Sequence, residues 1–239
     1  MLDFIKMNRF TFFIIHFLIS CCVALVASYF VFFIWYPYPL YRALGVVDIA
    51  VIVFAIDVIL GPILGFIIYD KTKASLKFDI FVIILIQFSA FIYGLYTLNQ
   101  ARPLYLVFAG YNFETVRKNE LIDGGDTVDF FSAIFQKPEF VSLNSNYYES
   151  RKNLLISKTN LRDTSFYTPF YLKNGTEHSV LVGIPLLNRF NSEKSVQSVV
   201  QKYPNADSWV PLRANNLDMV VLFSKEERKL IAAVDLRPW

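Results

Sequence analysis

Three long apolar runs occupy most of the first hundred positions of the chain. They cover Phe10–Trp35, Val46–Tyr69 and Phe78–Leu98, and each is long enough for the helix of roughly 20 residues that crosses a bilayer. Aromatic residues cluster near their ends, as at Trp35-Tyr36, which is typical of the membrane–water interface. The pattern predicts three transmembrane helices and a membrane domain over residues 1–99.

After Gln100 the apolar runs become short and alternate with polar turns. Expected strands are Leu104–Phe108, Asn112–Arg117, Ser179–Pro185, and a hairpin of Met219–Phe223 with Leu230–Val234. Expected helices run from a cap at Asp126 or Thr127 through Ile134 to a stop at Pro138, within Asn144–Asn160, and over Ser192–Tyr203. Residues 100–239 are therefore predicted to form a small α+β domain with an antiparallel sheet.

Charge follows the same division and predicts the orientation of the chain. Of the 239 residues 55% are hydrophobic, yet the part after Gln100 carries an ordinary 17 Lys/Arg against 15 Asp/Glu. Basic residues precede the first run and fill the second loop (Lys6, Arg9, Lys71, Lys73 and Lys77), whereas the first loop holds only Arg42. By the positive-inside rule the N-terminus is cytoplasmic and residues 100–239 lie on the far side of the membrane, which is the periplasm if the source is a Gram-negative bacterium.

An alternative interpretation of the N-terminus concerns lipidation. Leu18-Ile19-Ser20-Cys21 resembles a lipoprotein cleavage site, but the residues after Cys21 stay apolar where a processed lipoprotein would turn polar. An uncleaved first helix is favoured.

The sequence carries few signals of catalysis or of metal, cofactor or nucleic-acid binding. It has no CxxC, HExxH, P-loop, GxGxxG or GxSxG motif and no polybasic block. Asp48 and Asp57 fall on opposite helix faces, unlike the paired acids of a membrane peptidase. His16 and His178 are interpreted as packing or surface residues, and Asn174-Gly175-Thr176 as a chance glycosylation sequon. We expect a protein that is not an enzyme and that binds neither cofactor, metal nor nucleic acid.

The second predicted helix carries the most informative pattern. Asp57, Gly61 and Gly65 are spaced by four residues and share one face, and Pro62 removes a backbone donor beside them. An acid within the bilayer costs about 2.5–3.5 kcal/mol, so it needs a partner or a function. The third helix offers a comparable face through Gln87, Ala90, Gly94 and Thr97. Either Asp57 bonds Gln87 within one bundle, or Asp57 and the glycines receive a helix of another protein.

These residues belong to a wider set of short motifs spread along the chain. The set is Tyr38-Pro39-Leu40 with Gly45, Asp57–Pro62, Ser75–Asp79, Gln87, Tyr93-Gly94, Gln100–Pro103 and Val234–Trp239. In order and spacing it resembles the type IV pilin accessory proteins of the TfpX/TfpZ family. The region from Gly124 to Pro204 shares little with that family.

The resemblance implies a non-enzymatic protein of the bacterial inner membrane that binds its cognate major pilin and promotes or modulates pilus assembly. The hypothetical binding set is Asp57, Gly61, Pro62, Gly65, Gln87, Gly94 and Arg102, with the lipid bilayer as surroundings. Arg102 has two possible roles. It can pair with carboxylates or with lipid phosphates. Alternatively, it fixes the domain against the bilayer together with Arg237. A ligand-sensing membrane protein is the alternative, although the loop Asp70–Lys77 is too short for an output domain.

Overall fold

The computed structural model describes residues 7–122, 134–147, 161–170 and 180–239. The chain divides into two compact units, one formed by Met1–Phe32 with Val46–Asn99 and the other by Phe33–Gly45 with Gln100–Trp239. Several expectations lie outside the described residues: most of the helix from Asp126 to Ile134, most of a helix within 144–160, the sequon at 174–176, and His178.

Within the described residues, three helices are long and apolar enough to cross a membrane, so the chain is a membrane protein. These spans are Arg9–Trp35, Val46–Ile68 and Leu76–Ala101, close to the three predicted from the apolar runs. The described α-helices are α1 (Arg9–Tyr29), α2 (Leu40–Ala43), α3 (Val46–Ala55), α4 (Gly61–Ile68), α5 (Leu76–Ala101) and α6 (Glu193–Lys202). Phe30–Trp35 and Ile56–Leu60 are π-helical.

The second unit is built on an eight-stranded sheet, and the predicted fold class is confirmed. Its strands are β1 (Pro103–Phe108), β2 (Phe113–Arg117), β3 (Glu139–Leu143), β4 (Tyr167–Pro169), β5 (Val182–Gly183), β6 (Ser208–Arg213), β7 (Met219–Ser224) and β8 (Lys229–Val234). Their order is β4-β3-β1-β2-β6-β7-β8, with β5 also beside β6. The β1–β3 and β2–β6 pairs are parallel, so the sheet is mixed and not wholly antiparallel.

The hairpin of β7 and β8 and the helix α6 were predicted correctly, whereas β3, β4 and β6 were missed. Pro211 interrupts the pattern of β6, because proline lacks the N–H that a central strand normally donates. On the side away from β7, β6 pairs with β5 at Ser208 and Trp209 and with β2 at Leu212 and Arg213. Pro211 lies between these two short pairings, where it is tolerated.

The two faces of the sheet bury different layers. One face buries Leu106, Phe113 and Val221 together with Leu40 and Ala43 of α2. The opposite face is covered by α6 and by a 3-10 helix at Ile184–Arg189, whose Leu187 packs with Trp209 and Leu222.

The segment Phe33–Gly45 comprises the end of the first span and the loop after it, and it belongs to the second unit, where Leu40 and Ala43 are part of the core. Leu40 is 3% exposed and Ala43 fully buried, and the Ala43 carbonyl accepts hydrogen bonds from the backbone of Asn216 and Leu217, both at 3.0 Å. Gly45 adopts a φ of 67°, and a Cβ there would lie 3.2 Å from the Asn216 side chain. The sequence analysis places this segment in the membrane domain, residues 1–99.

We expect Leu40→Ala to destabilise the second unit by about 2–4 kcal/mol, because it opens a cavity in a packed core. Leu217→Ala is the matched control, since Leu217 is exposed. The free energy of unfolding of the full chain in micelles, followed by tryptophan fluorescence, measures both changes. Equal stability of the two variants would show that the segment contributes nothing to this core.

Candidate functional site

The second span changes its hydrogen-bonding pattern at Asp57. The Gly61 N–H donates to the Ile56 carbonyl, five residues back, and so makes a π-helical turn. The Asp57 carbonyl would next accept from the N–H of residue 61 or 62, but Gly61 is engaged and Pro62 has no N–H. The proline and the π-helical turn together therefore leave the Asp57 carbonyl without a backbone donor.

The side chain of Gln87, from the third span, donates to this carbonyl. Its Nε2 lies 2.8 Å from the Asp57 carbonyl oxygen, 2.7 Å from Asp57 Oδ1 and 3.2 Å from Ser20 Oγ of the first span. A carbonyl oxygen only accepts, which orients the amide nitrogen toward Asp57. The predicted hydrogen bond between Asp57 and Gln87 is therefore present, and one amide links all three spans.

The two glycines of the second span contact side chains from the first and third spans of the same protein. A Cβ at Gly61 would collide with the Gln87 amide, and one at Gly65 would lie 2.9 Å from Phe12 Cε1 and 3.3 Å from His16 Nδ1. Close approach of helices in lipid commonly depends on such small residues. The surface of the second span at these glycines is thus covered by side chains of the protein's own first and third spans.

An open groove remains between the first and third spans. Its volume is about 220 Å³, and its apolar walls include Ile19, Val23, Ile84 and Phe88. The more polar residues that line it are His16, Ser20, Asp57 and Gln87. Asp57 is only 7% exposed. His16 Nδ1 and Gln87 Oε1 are buried here as well. The groove therefore combines an apolar wall with buried polar side chains.

The remaining predicted site residues lie apart from this groove. Gly94 faces the second span, where a Cβ would come within 2.7 Å of Val53 Cγ1. It lines a separate crevice with Val53, Ala90 and Thr97. Asp57 and Gln87 line that crevice as well. The hydrogen bond between them therefore lies between the groove and the crevice.

Arg102 belongs to the second unit and is 1% exposed. Its guanidinium lies 5.8 Å from the centre of the Trp35 ring, and its Nη1 is 3.4 Å from the Ile134 carbonyl, which also accepts from Trp35 Nε1. Burial lowers the pKa of Arg102, although nearby Tyr36 acts in the opposite direction. This burial favours a packing role for Arg102 over pairing with lipid phosphates.

A cluster of charges that sequence reasoning did not connect joins the first loop to the C-terminal strand. Asp235 accepts from Arg42 Nη1 at 2.6 Å and from Arg237 Nη2, and Arg237 also donates to the Asp218 carbonyl. Arg42 and Asp235 are 193 positions apart, so no local pattern indicates their pairing. The motifs around Tyr38–Gly45 and Val234–Trp239 meet at this cluster.

Comparisons with known proteins identify related chains. The family described as "Fimbrial assembly protein FimB" matches residues 6–45. The chain is 38% identical over 110 residues to "Fimbrial assembly protein, serogroup I" of Dichelobacter nodosus, covering 45% of this chain and 43% of that protein. It is 37% identical over 110 residues to the protein of serogroups C1 and C2, covering 45% of this chain and 84% of that protein. No solved structure gives a significant match.

The hydrogen bond from the Gln87 side chain to the Asp57 carbonyl predicts an energetic coupling between Gln87 and Pro62. Gln87→Leu should cost about 1–3 kcal/mol of unfolding free energy, because it leaves the Asp57 carbonyl buried without a donor. In a Pro62→Ala background the restored N–H can serve that carbonyl, so Gln87→Leu should cost less. Unfolding in mixed micelles with sodium dodecyl sulfate, followed by circular dichroism, measures the double-mutant cycle.

The control is Ser89→Ala, since Ser89 donates to the Leu85 carbonyl of its own helix. It should show no coupling to Pro62→Ala. Strictly additive effects of Gln87→Leu and Pro62→Ala would mean that proline does not create the need for the amide.

Proposed function

Because the chain belongs to the FimB family of fimbrial assembly proteins, we propose that it is a non-enzymatic accessory protein that binds its cognate major pilin and promotes pilus assembly. The relatives named above are fimbrial assembly proteins, and two of them, of serogroups I and E1, are covered over only 43% of their length. The finer assignment to accessory proteins of the TfpX/TfpZ type, with a chaperone-like role, rests on the motif set of the sequence.

The observation that carries the proposal is the open groove between the first and third spans. Its walls are apolar side chains such as Ile19, with 55% of its surface exposed, and Phe88, with 62%. A pilin in the membrane is a single apolar helix with a buried acid near its N-terminus. Such a helix fits a groove of this kind, and its acid can form hydrogen bonds with polar side chains of the groove such as His16.

In this proposal the predicted residues have different tasks. Asp57 and Gln87 form the polar part of the groove that meets the pilin helix. Gly61, Pro62 and Gly65 act indirectly, because they hold Gln87, Phe12 and His16 in place. Gly94 supports the packing of the third span on the second, and Arg102 supports the second unit.

The proposal also includes the location of the two units. The spans lie in the bacterial inner membrane with a cytoplasmic N-terminus, and the second unit lies in the periplasm beside the soluble part of the pilin. The distribution of basic residues supports this orientation, since Lys71, Lys73 and Lys77 follow the second span whereas Arg42 is alone in the first loop.

Filling the groove should displace the pilin helix. Ile84 lines the groove and Ile86 does not, although 49% and 64% of their surfaces are exposed on the same helix. We expect Ile84→Trp to lower the amount of pilin that co-purifies from solubilised membranes about tenfold, equivalent to about 1.4 kcal/mol. Ile86→Trp should leave it unchanged, with both variants present at wild-type level. Equal recovery of pilin with both would refute binding in this groove.

The orientation has its own test in reporter fusions. Alkaline phosphatase, which is active only in the periplasm, should be active when fused after Trp239 and inactive when inserted at Lys73 in the second loop. The reverse pattern would place the second unit in the cytoplasm, where it could not meet the soluble part of a pilin.

A further inference from the structure

β8 is the last strand in the order of the sheet, so that the edge facing away from β7 pairs with no strand among the described residues. Within the residues that the structure describes, β8 pairs only with β7, from Val220↔Val234 to Ser224↔Lys229. Natural edge strands are usually protected by a charge or a proline. Lys229, at the start of β8, is such a charge, whereas the rest of the strand, Leu230–Val234, contains neither a charge nor a proline. Its outward backbone groups can therefore pair with a further strand.

A cleft of about 230 Å³ lies against this edge. It is lined by both Ala232 and Ala233, although neighbouring residues of a strand point to opposite faces. A cavity that touches both must therefore reach around the edge of β8. The rings of Tyr38, Phe140 and Tyr203 form much of its remaining wall, so the cleft suits one large apolar side chain.

One lysine lies at the rim of the cleft, near the Asp235 carboxylate that pairs with Arg42 and Arg237. Lys202 Nζ lies 5.8 Å from the centre of the Tyr38 ring and 5.3 Å from that of Tyr203. Among the described residues no carboxylate forms an ion pair with Lys202. A carboxylate beside the apolar side chain would complement this charge.

We propose that the open edge of β8 accepts an extended segment of a partner protein as an additional strand. The segment places a large apolar side chain in the cleft and a carboxylate next to Lys202. Backbone hydrogen bonds to a sheet edge supply affinity, and the adjacent pocket supplies specificity. This inference rests on the proposed function, because the partner is then the soluble part of the pilin.

A second copy of the same chain fits this site less well. In a two-fold pairing of β8 with itself, the large side chains Leu230 and Ile231 would have to enter the clefts. These side chains already pack into the two cores of their own sheet, on opposite faces. Both clefts would then stay empty, so a different chain is the better occupant.

Photo-crosslinking in membranes that contain the full chain and its pilin tests the contact. p-Benzoylphenylalanine replaces Tyr38, which is 55% exposed at the cleft, or Tyr111, which is 63% exposed and does not line it. We expect an adduct of position 38 with an extended segment of the pilin's soluble part, and at least about tenfold less from position 111. An adduct of position 38 with a second copy would overturn the proposal.

Charge reversal supplies an independent measurement on the same helix. Lys202→Glu should weaken co-purification of pilin about tenfold, since it opposes the expected carboxylate, whereas Lys194→Glu, also exposed on α6, should change it less than about twofold. Unchanged co-purification with no adduct at position 38 would overturn the β8 site and leave the groove intact. If the wild-type chain recovers no pilin at all, the proposed function fails and this inference fails with it.

Discussion

The membrane unit depends on one hydrogen bond, from the Gln87 amide to the Asp57 carbonyl. In lipid every backbone polar group needs a partner from the protein, because water is absent. Pro62 removes the donor that the Asp57 carbonyl would otherwise use, and the adjoining π-helical turn engages the Gly61 N–H elsewhere. The third span provides the replacement at 2.8 Å. The position of Gln87 is thus set by a missing donor in a different helix.

Several other features follow from this constraint. Gly61 has to lack a side chain, because the amide occupies that space. The acid side chain of Asp57 gains the same donor, and Ser20 of the first span joins the cluster. The spans are therefore held together at a polar centre, while the surfaces of the first and third spans on either side of Gln87 remain apart as a groove. A groove with a polar centre and apolar walls is what an apolar helix with a buried acid requires.

The sequence predicted the spans and the fold class, and it gave the Asp57–Gln87 pair as one of two alternatives, since these depend on local periodicity and on the cost of a charge in lipid. It did not predict that the glycines contact the protein's own Phe12 and His16, because helix patterns do not distinguish an internal neighbour from an external one. Arg102 looked like a surface residue at the end of a span, but it is buried against Trp35. The insertion of Leu40 and the pairing of Arg42 with Asp235 join distant segments, which no local pattern encodes.

The central claim is that Gln87 serves the carbonyl that Pro62 leaves open. Solid-state NMR of the full chain in lipid bilayers tests it directly, with ¹³C in aspartate backbone carbonyls and ¹⁵N in glutamine side chains. The account predicts a dipolar coupling that corresponds to about 4 Å, as a hydrogen bond to the carbonyl oxygen requires, and its loss in Gln87→Leu. A wild-type spectrum without any coupling that this substitution removes would contradict it.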